Sequence, residues 1–241
     1  MAGSGRFCVT IGREPGDIAA AQALRTRAFA TGEGDGDRFD ALCDHLLVRD
    51  CRNGAVVCSA RILACADGRG ISRSYSAQYY DLSALTQYRG DMAELGRFCI
   101  DPGAADPDIL RVAWGALTRY VDDNNIEMLF GCSSFAGTDT SIYLDTFAVL
   151  RDRYLAPPRW GPGVGSGDVF RYGAEARVAD VREGMRRMPP LLRSYLLMGG
   201  RVSDHAVVDR QMNTLHVFTG LEIDAIPPAR KRLLRADGAE I

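Results

Sequence analysis

A mixed α/β (α+β) fold, a β-sheet flanked by helices, is predicted by three features of the chain. Short runs that alternate or are continuously apolar recur between stretches with helical spacing. Arg52-Asn53-Gly54 sits between two such runs, a strong hairpin signal. The composition, 46% apolar and 25% charged, is that of an ordinary globular chain. With 241 residues the expectation is a single domain over 1–241. A chain of this length buries roughly 70–75% of its unfolded surface, so it needs neither disulfides nor metal for stability.

In order, Phe7–Ile11 alternates as a strand, and Asp17 is expected to cap a helix carrying Ile18, Ala21, Leu24 and Phe29. The Gly- and acid-rich stretch 31–37 reads as a loop or mobile lid. His45–Asp50 and Ala55–Ala66 form the hairpin, and Met92–Ile100 is a strand ended by Asp101-Pro102-Gly103. Asp106-Pro107-Asp108 opens a helix over Ile109–Asn124, with Leu110, Ala113, Trp114, Leu117 and Val121 at helical spacing. Ile126–Cys132 is a short buried strand running into a small-residue turn, and Ser141–Leu150 a helix. Val169–Tyr172 and Leu215–Ile223 are strands, and Pro189–Met198 is a Pro-initiated helix.

Composition excludes several classes. A net charge of −2, from 29 basic and 31 acidic residues, argues against a nucleic-acid partner. Seven cysteines in no metal-ligand spacing, with no leader ahead of them, read as reduced thiols of a cytoplasmic protein. The apolar runs fall short of the roughly 18 residues a membrane span requires, which leaves at most a peripheral membrane contact. Lys231 is the sole lysine, so anion recognition here uses guanidinium groups. The arginine-rich end (Arg230, Lys231, Arg232, Arg235) reads as a solvated tail.

Polar residues where a core belongs mark the chemistry. Period two puts Glu94, Gly96, Phe98 and Ile100 on one face of their strand, and Ala93, Leu95, Arg97 and Cys99 on the other. Both charges need partners, and a glycine inside a strand marks a bulge or a close approach by a ligand. A second cluster is Asp37-Arg38-Phe39-Asp40 with Asp44-His45. A third is Phe130-Gly131-Cys132-Ser133-Ser134-Phe135, with no signature of a covalent nucleophile around Cys132 or Ser133.

Taken in order, Leu24-Arg25, Arg27, Phe29, the acidic loop to Phe39-Asp40, Cys43–Val48, Arg61, Tyr75-Ser76, Glu94-Leu95-Gly96-Arg97, Trp114 and Leu129–Phe135 resemble the bacterial ornithine lipid N-acyltransferases. These belong to the GNAT superfamily and are related to the acyl-homoserine lactone synthases. The resemblance covers about residues 20–222 and implies a GNAT-type mixed, splayed sheet. It also implies transfer of a 3-hydroxyacyl chain from acyl carrier protein to the α-amine of an amino acid, giving a lyso-aminolipid. The donor carries 4'-phosphopantetheine; no other cofactor and no metal is implied.

On that resemblance Glu94 is the general base, with Arg97 beside it as an electrostatic anchor. Asp44 and His45 assist deprotonation or hold the acceptor, although a hydrogen-bonded His45 pinning the acidic loop is the bland alternative. Arg25, Arg27 and Arg61, with Asp40, shape the acceptor site, since guanidinium binds carboxylate bidentately. Gly96 and the Arg97–Cys99 backbone receive the pantetheine arm, and Ser133 and Ser134 help hold the donor. Phe29, Trp114, Phe130, Phe135, Tyr143 and Phe147 are available for an acyl channel. Arg182, Arg186, Arg187 and Arg193 are the expected docking face for an acidic carrier protein.

Two departures matter. Residues 101–108 contain three carboxylates where coenzyme A-dependent relatives place a basic, glycine-rich pyrophosphate loop, which disfavours coenzyme A as donor. His216 stands where the family pattern has an acid, which tilts the acceptor from ornithine toward glutamine. The alternatives are an acyl-homoserine lactone synthase that takes S-adenosylmethionine, and an acyl-carrier-binding module without turnover.

Overall fold

Strand and helix alternate as expected in the computed structural model, which describes residues 5–32, 34–173 and 178–239. The elements are β1 (Phe7–Gly12), α1 (Pro15–Phe29), β2 (Asp44–Asp50), β3 (Val56–Cys65), β4 (Tyr80–Asp81), β5 (Met92–Ile100) and α2 (Pro107–Asp123). They continue as β6 (Met128–Ala136), α3 (Leu144–Arg153), β7 (Gly163–Val164), β8 (Val169–Arg171), α4 (Val181–Arg187) and α5 (Pro190–Leu197). The chain ends with β9 (Arg201–Val202), β10 (His205–Asp209), β11 (Thr214–Glu222) and α6 (Pro228–Ala239). It divides into two compact units, 1–64 with 93–126 and 228–241, and 65–92 with 127–227. Residues 1–4, where a leader would begin, lie outside the described residues.

In the first unit the strand order is β1-β2-β3-β5. β1 and β2 pair antiparallel with Ile11 opposite Leu46, and β2 and β3 form the predicted hairpin, in which Gly54 takes a φ of 74°. Strand β3 is apolar apart from Ser59 and Arg61, β2 carries the apolar run Leu46–Val48 between polar ends, and both are buried nearly throughout, the pattern of strands covered on both faces. Helices α1 and α2 pack against β2, and α2 also against β1. The Asp106 carboxylate accepts from the Asp108 N–H at 3.0 Å, and Pro107 opens α2, as its sequence predicts.

In the second unit β6, β11, β10 and β8 lie in that order, all antiparallel, with β9 on β11; β4 and β7 make a separate two-stranded sheet. Phe135, Phe147, Leu150, Leu192, Leu215 and Val217 form its core.

Several expectations change. Helix α1 starts at Pro15 with Glu14 as its N-cap residue, because proline's fixed φ pre-forms the first turn; Asp17 lies within that turn and pairs with Arg49 at 3.6 Å. Strand β6 does not turn at Ser133: it runs to Ala136, since β11 keeps pairing with it through Ser133–Val217 and Ser134–His216. Strict alternation in β5 is interrupted at Arg97, whose φ of 51° is left-handed, a conformation costing a non-glycine residue about 1–3 kcal/mol. Cys8 and Cys51 form a disulfide with Cα atoms 5.8 Å apart, because β1–β2 pairing brings Cys8 alongside the hairpin turn; the reduced reading applies to the other five. The arginine-rich end is the helix α6 rather than a tail. Helix α4 and strand β10 escape the sequence reading, although Asp180 capping the Glu183 N–H is a legible helix start.

At Gly220 in β11 an added Cβ would lie 2.7 Å from Met128 Cε and 2.8 Å from the Trp160 ring. Gly220→Ala is therefore expected to lower stability by about 1–3 kcal/mol, read from the denaturant midpoint. An unchanged midpoint would contradict this packing.

Candidate active site

Three arginines and three aspartates of the first unit interlock around the acidic loop. Arg25 sends two N–H groups to the Asp40 carboxylate, each at 2.8 Å, and its Nε lies 3.1 Å from Asp35. It also donates to the Asp35 carbonyl oxygen. Arg61 reaches Asp37 at 2.6 Å and Asp40 at 3.1 Å. Arg97 lies 3.3 Å from Asp35 and 3.7 Å from Asp37. Gln22 and the Asp37 N–H add further donors to Asp40. Burial alone would raise the Asp40 carboxyl pKa, but hydrogen bonds from Arg25, Gln22 and Asp37 hold it well below its ordinary 3.8.

This network revises several roles. Arg25 is 0% exposed, so no substrate carboxylate can touch it; it is a strut beneath the loop. Arg61 is nearly as buried and equally engaged. His45 is 0% exposed and its Nε2–H donates to the Asp40 carbonyl oxygen at 3.0 Å, which is the bland alternative and leaves no path to an incoming amine. The loop is a pinned segment rather than a mobile lid, with Asp35 and Asp40 both buried; Glu33 within it lies outside the described residues. Asp44 accepts from Arg13 at 2.5 and 3.2 Å and from the Tyr120 hydroxyl at 2.8 Å. Burial raises its pKa, but these bonds bring it below the ordinary value.

Glu94 lies in β5, 5% exposed. Burial pushes the nearby Cys43 thiol up to about 12, with Arg61 opposing and the Glu94 charge adding to the rise, so both act in one electrostatic neighbourhood. Gly96 has open space where a Cβ would stand, and Arg97 is held over the Phe29 ring at 5.9 Å as well as by the loop. Cys99 is buried, and burial pushes its thiol up to about 12. Arg27 is exposed and pairs with Asp101 at 2.8 Å.

The carboxylates of 101–108 are each answered: Asp101 by Arg27, Asp106 by Arg6 at 2.6 Å, and Asp108 by Arg111 at 3.1 Å. A cleft of about 490 Å³ opens there, lined by Phe7, Val57, Ala104, Ala105, Pro107 and Ile109, with Arg6 and Asp106 at its rim.

In the second unit Ser133 is buried and accepts from the Thr219 hydroxyl at 2.9 Å, while Ser134 is exposed. His216 is 2% exposed, 3.1 Å from the Tyr80 hydroxyl through Nδ1, with its ring 4.8 Å from that of Tyr79. Asp209, also buried, accepts from the Met212 N–H at 2.9 Å and the Tyr79 hydroxyl at 3.4 Å. Phe130, Phe135 and Phe147 are packed core rather than channel lining. In the first unit Trp114 stacks on Phe98. The expected docking face is partly neutralised, since Glu183 takes both Arg186 and Arg187.

Asp35, Tyr79 and Tyr80 are absent from the sequence reading; only the alternation of acid and glycine around Asp35 hinted at one of them. Because a broken buried pair leaves an uncompensated charge, Asp40→Asn is expected to lower stability by about 3–5 kcal/mol. Its folded pKa is depressed, so its contribution is complete above 3.8 and disappears as the pH falls through the lower, folded value. Denaturation midpoints measured from neutral pH down through 3.8 should fall more steeply for the wild type than for the variant. Parallel curves would contradict the network.

The acetyltransferase (GNAT) domain family matches residues 21–115. An L-ornithine N(alpha)-acyltransferase of Rhodobacter capsulatus is 32% identical over 236 residues, covering 90% of each chain, and one from Brucella abortus is 30% identical over 87% of this chain and 82% of its own. Among solved structures, FeeM, an N-acyl amino acid synthase from uncultured soil microbes, superposes with a TM-score of 0.52 at 10% identity, over 91% of this chain and 92% of its own. The fold is thus of the GNAT type, the expected one. No helix among the described residues is long and apolar enough to cross a membrane. With its acid-bearing strand β5, its pinned acidic loop and 32% identity over 90% of the chain to the Rhodobacter capsulatus relative, the chain belongs to the L-ornithine N(alpha)-acyltransferase family of GNAT acyltransferases.

Proposed function

We propose that this acyltransferase moves a 3-hydroxyacyl group from the pantetheine thioester of acyl carrier protein to the α-amine of glutamine, forming a lyso-aminolipid. The observation that carries the chemistry is the Glu94 carboxylate, buried in β5 two residues before the open space at Gly96. An α-ammonium group has no lone pair. Glu94 takes one of its protons, directly or through water, and the neutral amine attacks the thioester carbon. The C–N bond forms, the C–S bond breaks, and the second proton shed by the attacking nitrogen passes to the leaving pantetheine thiolate, giving the amide and the free thiol. Glu94 then returns its proton to solvent. Arg97, held by Asp35 and Asp37, steadies the carboxylate's negative charge in the resting state.

The donor assignment is supported by residues 101–108. The Asp106 carboxylate already caps α2, so a coenzyme A diphosphate would meet negative charge at that helix start instead of free N–H groups. A carrier-protein donor brings a single phosphodiester and avoids that repulsion.

The acceptor assignment is supported by His216. The Tyr80 hydroxyl donates its one hydrogen to the His216 carbonyl oxygen at 2.9 Å, so Nδ1 carries the ring proton and Nε2 keeps a bare lone pair without a partner. Burial holds the imidazole pKa down to about 4, which keeps it neutral at physiological pH. A neutral imidazole where the family pattern has an acid offers no countercharge to an ornithine ammonium group, which favours the uncharged carboxamide of glutamine. Ornithine is the second reading, favoured by the names of the curated relatives.

The test combines 3-hydroxyacyl carrier protein or 3-hydroxyacyl coenzyme A with each amino acid and follows thiol release. Glutamine with the carrier protein should turn over fastest; ornithine far ahead of glutamine would reverse the acceptor assignment, and equal use of coenzyme A the donor assignment. Glu94→Ala should reduce kcat by about 10²–10⁴-fold with the fold intact. A loss smaller than about tenfold would remove Glu94 from the role.

A further inference from the structure

The C-terminal helix carries a surface that the transfer reaction does not use. On its inner side α6 is fixed to α2. Leu234 is buried, Arg235 holds Asp122 through two bonds of 2.8 Å, and a Cβ at Gly238 would lie 2.9 Å from the Gly115 carbonyl oxygen. Asp237, the one carboxylate among the described residues of α6, is 3.4 Å from Arg111.

The outer side is different. Ala229, Arg232, Leu233 and Ala236 are spaced i, i+3, i+4 and i+7 and are all exposed, which makes one stripe along the helix. Leu233 is 55% exposed. Arg230 and Lys231 flank the stripe, and Arg232 makes no ion pair among the described residues. Other exposed arginines are divided: Arg6, Arg13, Arg27, Arg52 and Arg159 are each paired with a carboxylate, whereas Arg73 and Arg89 are not among the described residues; what sets Arg232 apart is its place beside Leu233 on the exposed stripe. With Arg235 engaged by Asp122, three cationic side chains, Arg230, Lys231 and Arg232, stand on or beside the stripe, within a chain whose net charge is −2.

We propose that α6 is an interfacial helix that seats the protein reversibly on an anionic bilayer. Two alanines and a leucine between long cationic side chains match what a lipid surface accepts: shallow apolar insertion, with guanidinium groups at the headgroup phosphates. A protein partner would call for aromatic anchors, and α6 has none. One leucine with a few cations gives weak, salt-sensitive attachment rather than permanent anchoring. The helix is held in place by α2, so it meets the membrane already folded. The inference is independent of which acceptor or donor the enzyme uses.

The 241-residue chain is tested by co-sedimentation with phosphatidylglycerol and with phosphatidylcholine vesicles across a salt series. Partition onto the anionic vesicles should exceed that onto neutral ones by on the order of tenfold or more at low salt and fall as salt rises. The double variant Arg232→Glu, Leu233→Asp touches only exposed side chains; it should keep its denaturation midpoint and lose the anionic preference. Equal partition of variant and wild type, or equal binding to both vesicle types, would overturn the proposal. So would a variant that keeps its vesicle binding but no longer binds a purified acidic carrier protein, since that would assign the stripe to a protein partner.

Discussion

The carboxylate of Asp40 is the point on which the described geometry of the first unit turns. It is buried and accepts from Arg25, Arg61, Gln22 and a backbone N–H, while Arg25 and Arg97 share Asp35 and Arg61 and Arg97 share Asp37. Charges withdrawn from water are tolerated only when each has its partner, so no member of this set can leave without stranding another. The same set holds Arg97 in a left-handed conformation that an isolated strand would abandon. That residue follows the open space at Gly96 and stands three positions from Glu94. A network built for rigidity thereby fixes the part of β5 where the chemistry is proposed.

Much of the fold was legible in local patterns. The Asn-Gly turn, the Asp-Pro-Asp start of α2 and the apolar runs of β2, β3 and β5 each announce themselves within a few residues, and the structure follows them. What local patterns do not carry is pairing at long range. His216 meets Tyr80 across 136 positions, and Arg61 meets Asp37 across 24. Composition shows that such groups need partners without showing which. For the same reason Arg25 and His45 read as substrate contacts, whereas burial turns both inward, one as a strut and the other as a pin on the acidic loop. The end of the chain failed differently. Its arginines look solvated in sequence, and only the docking of Leu234 and Gly238 on α2 makes the segment a helix with two distinct sides.

Membership in the L-ornithine N(alpha)-acyltransferase family and the local departures of this chain answer different questions. The shared fold and the family belong with acyl transfer. In the proposed reading, the carboxylates at the start of α2 and the neutral imidazole of His216 bear on donor and acceptor choice, which a fold held in common by many acyltransferases leaves open.

The claim at the centre is that the β5 carboxylate removes a proton from the incoming ammonium group. It is tested most directly by giving wild type and Glu94→Ala two nucleophiles, the amino acid and hydroxylamine, which is already uncharged at neutral pH and needs no base to expose its lone pair. The account predicts that the variant loses acylation of the amino acid while forming hydroxamate at close to the wild-type rate. An equal loss toward both nucleophiles would contradict it and assign Glu94 a purely structural place.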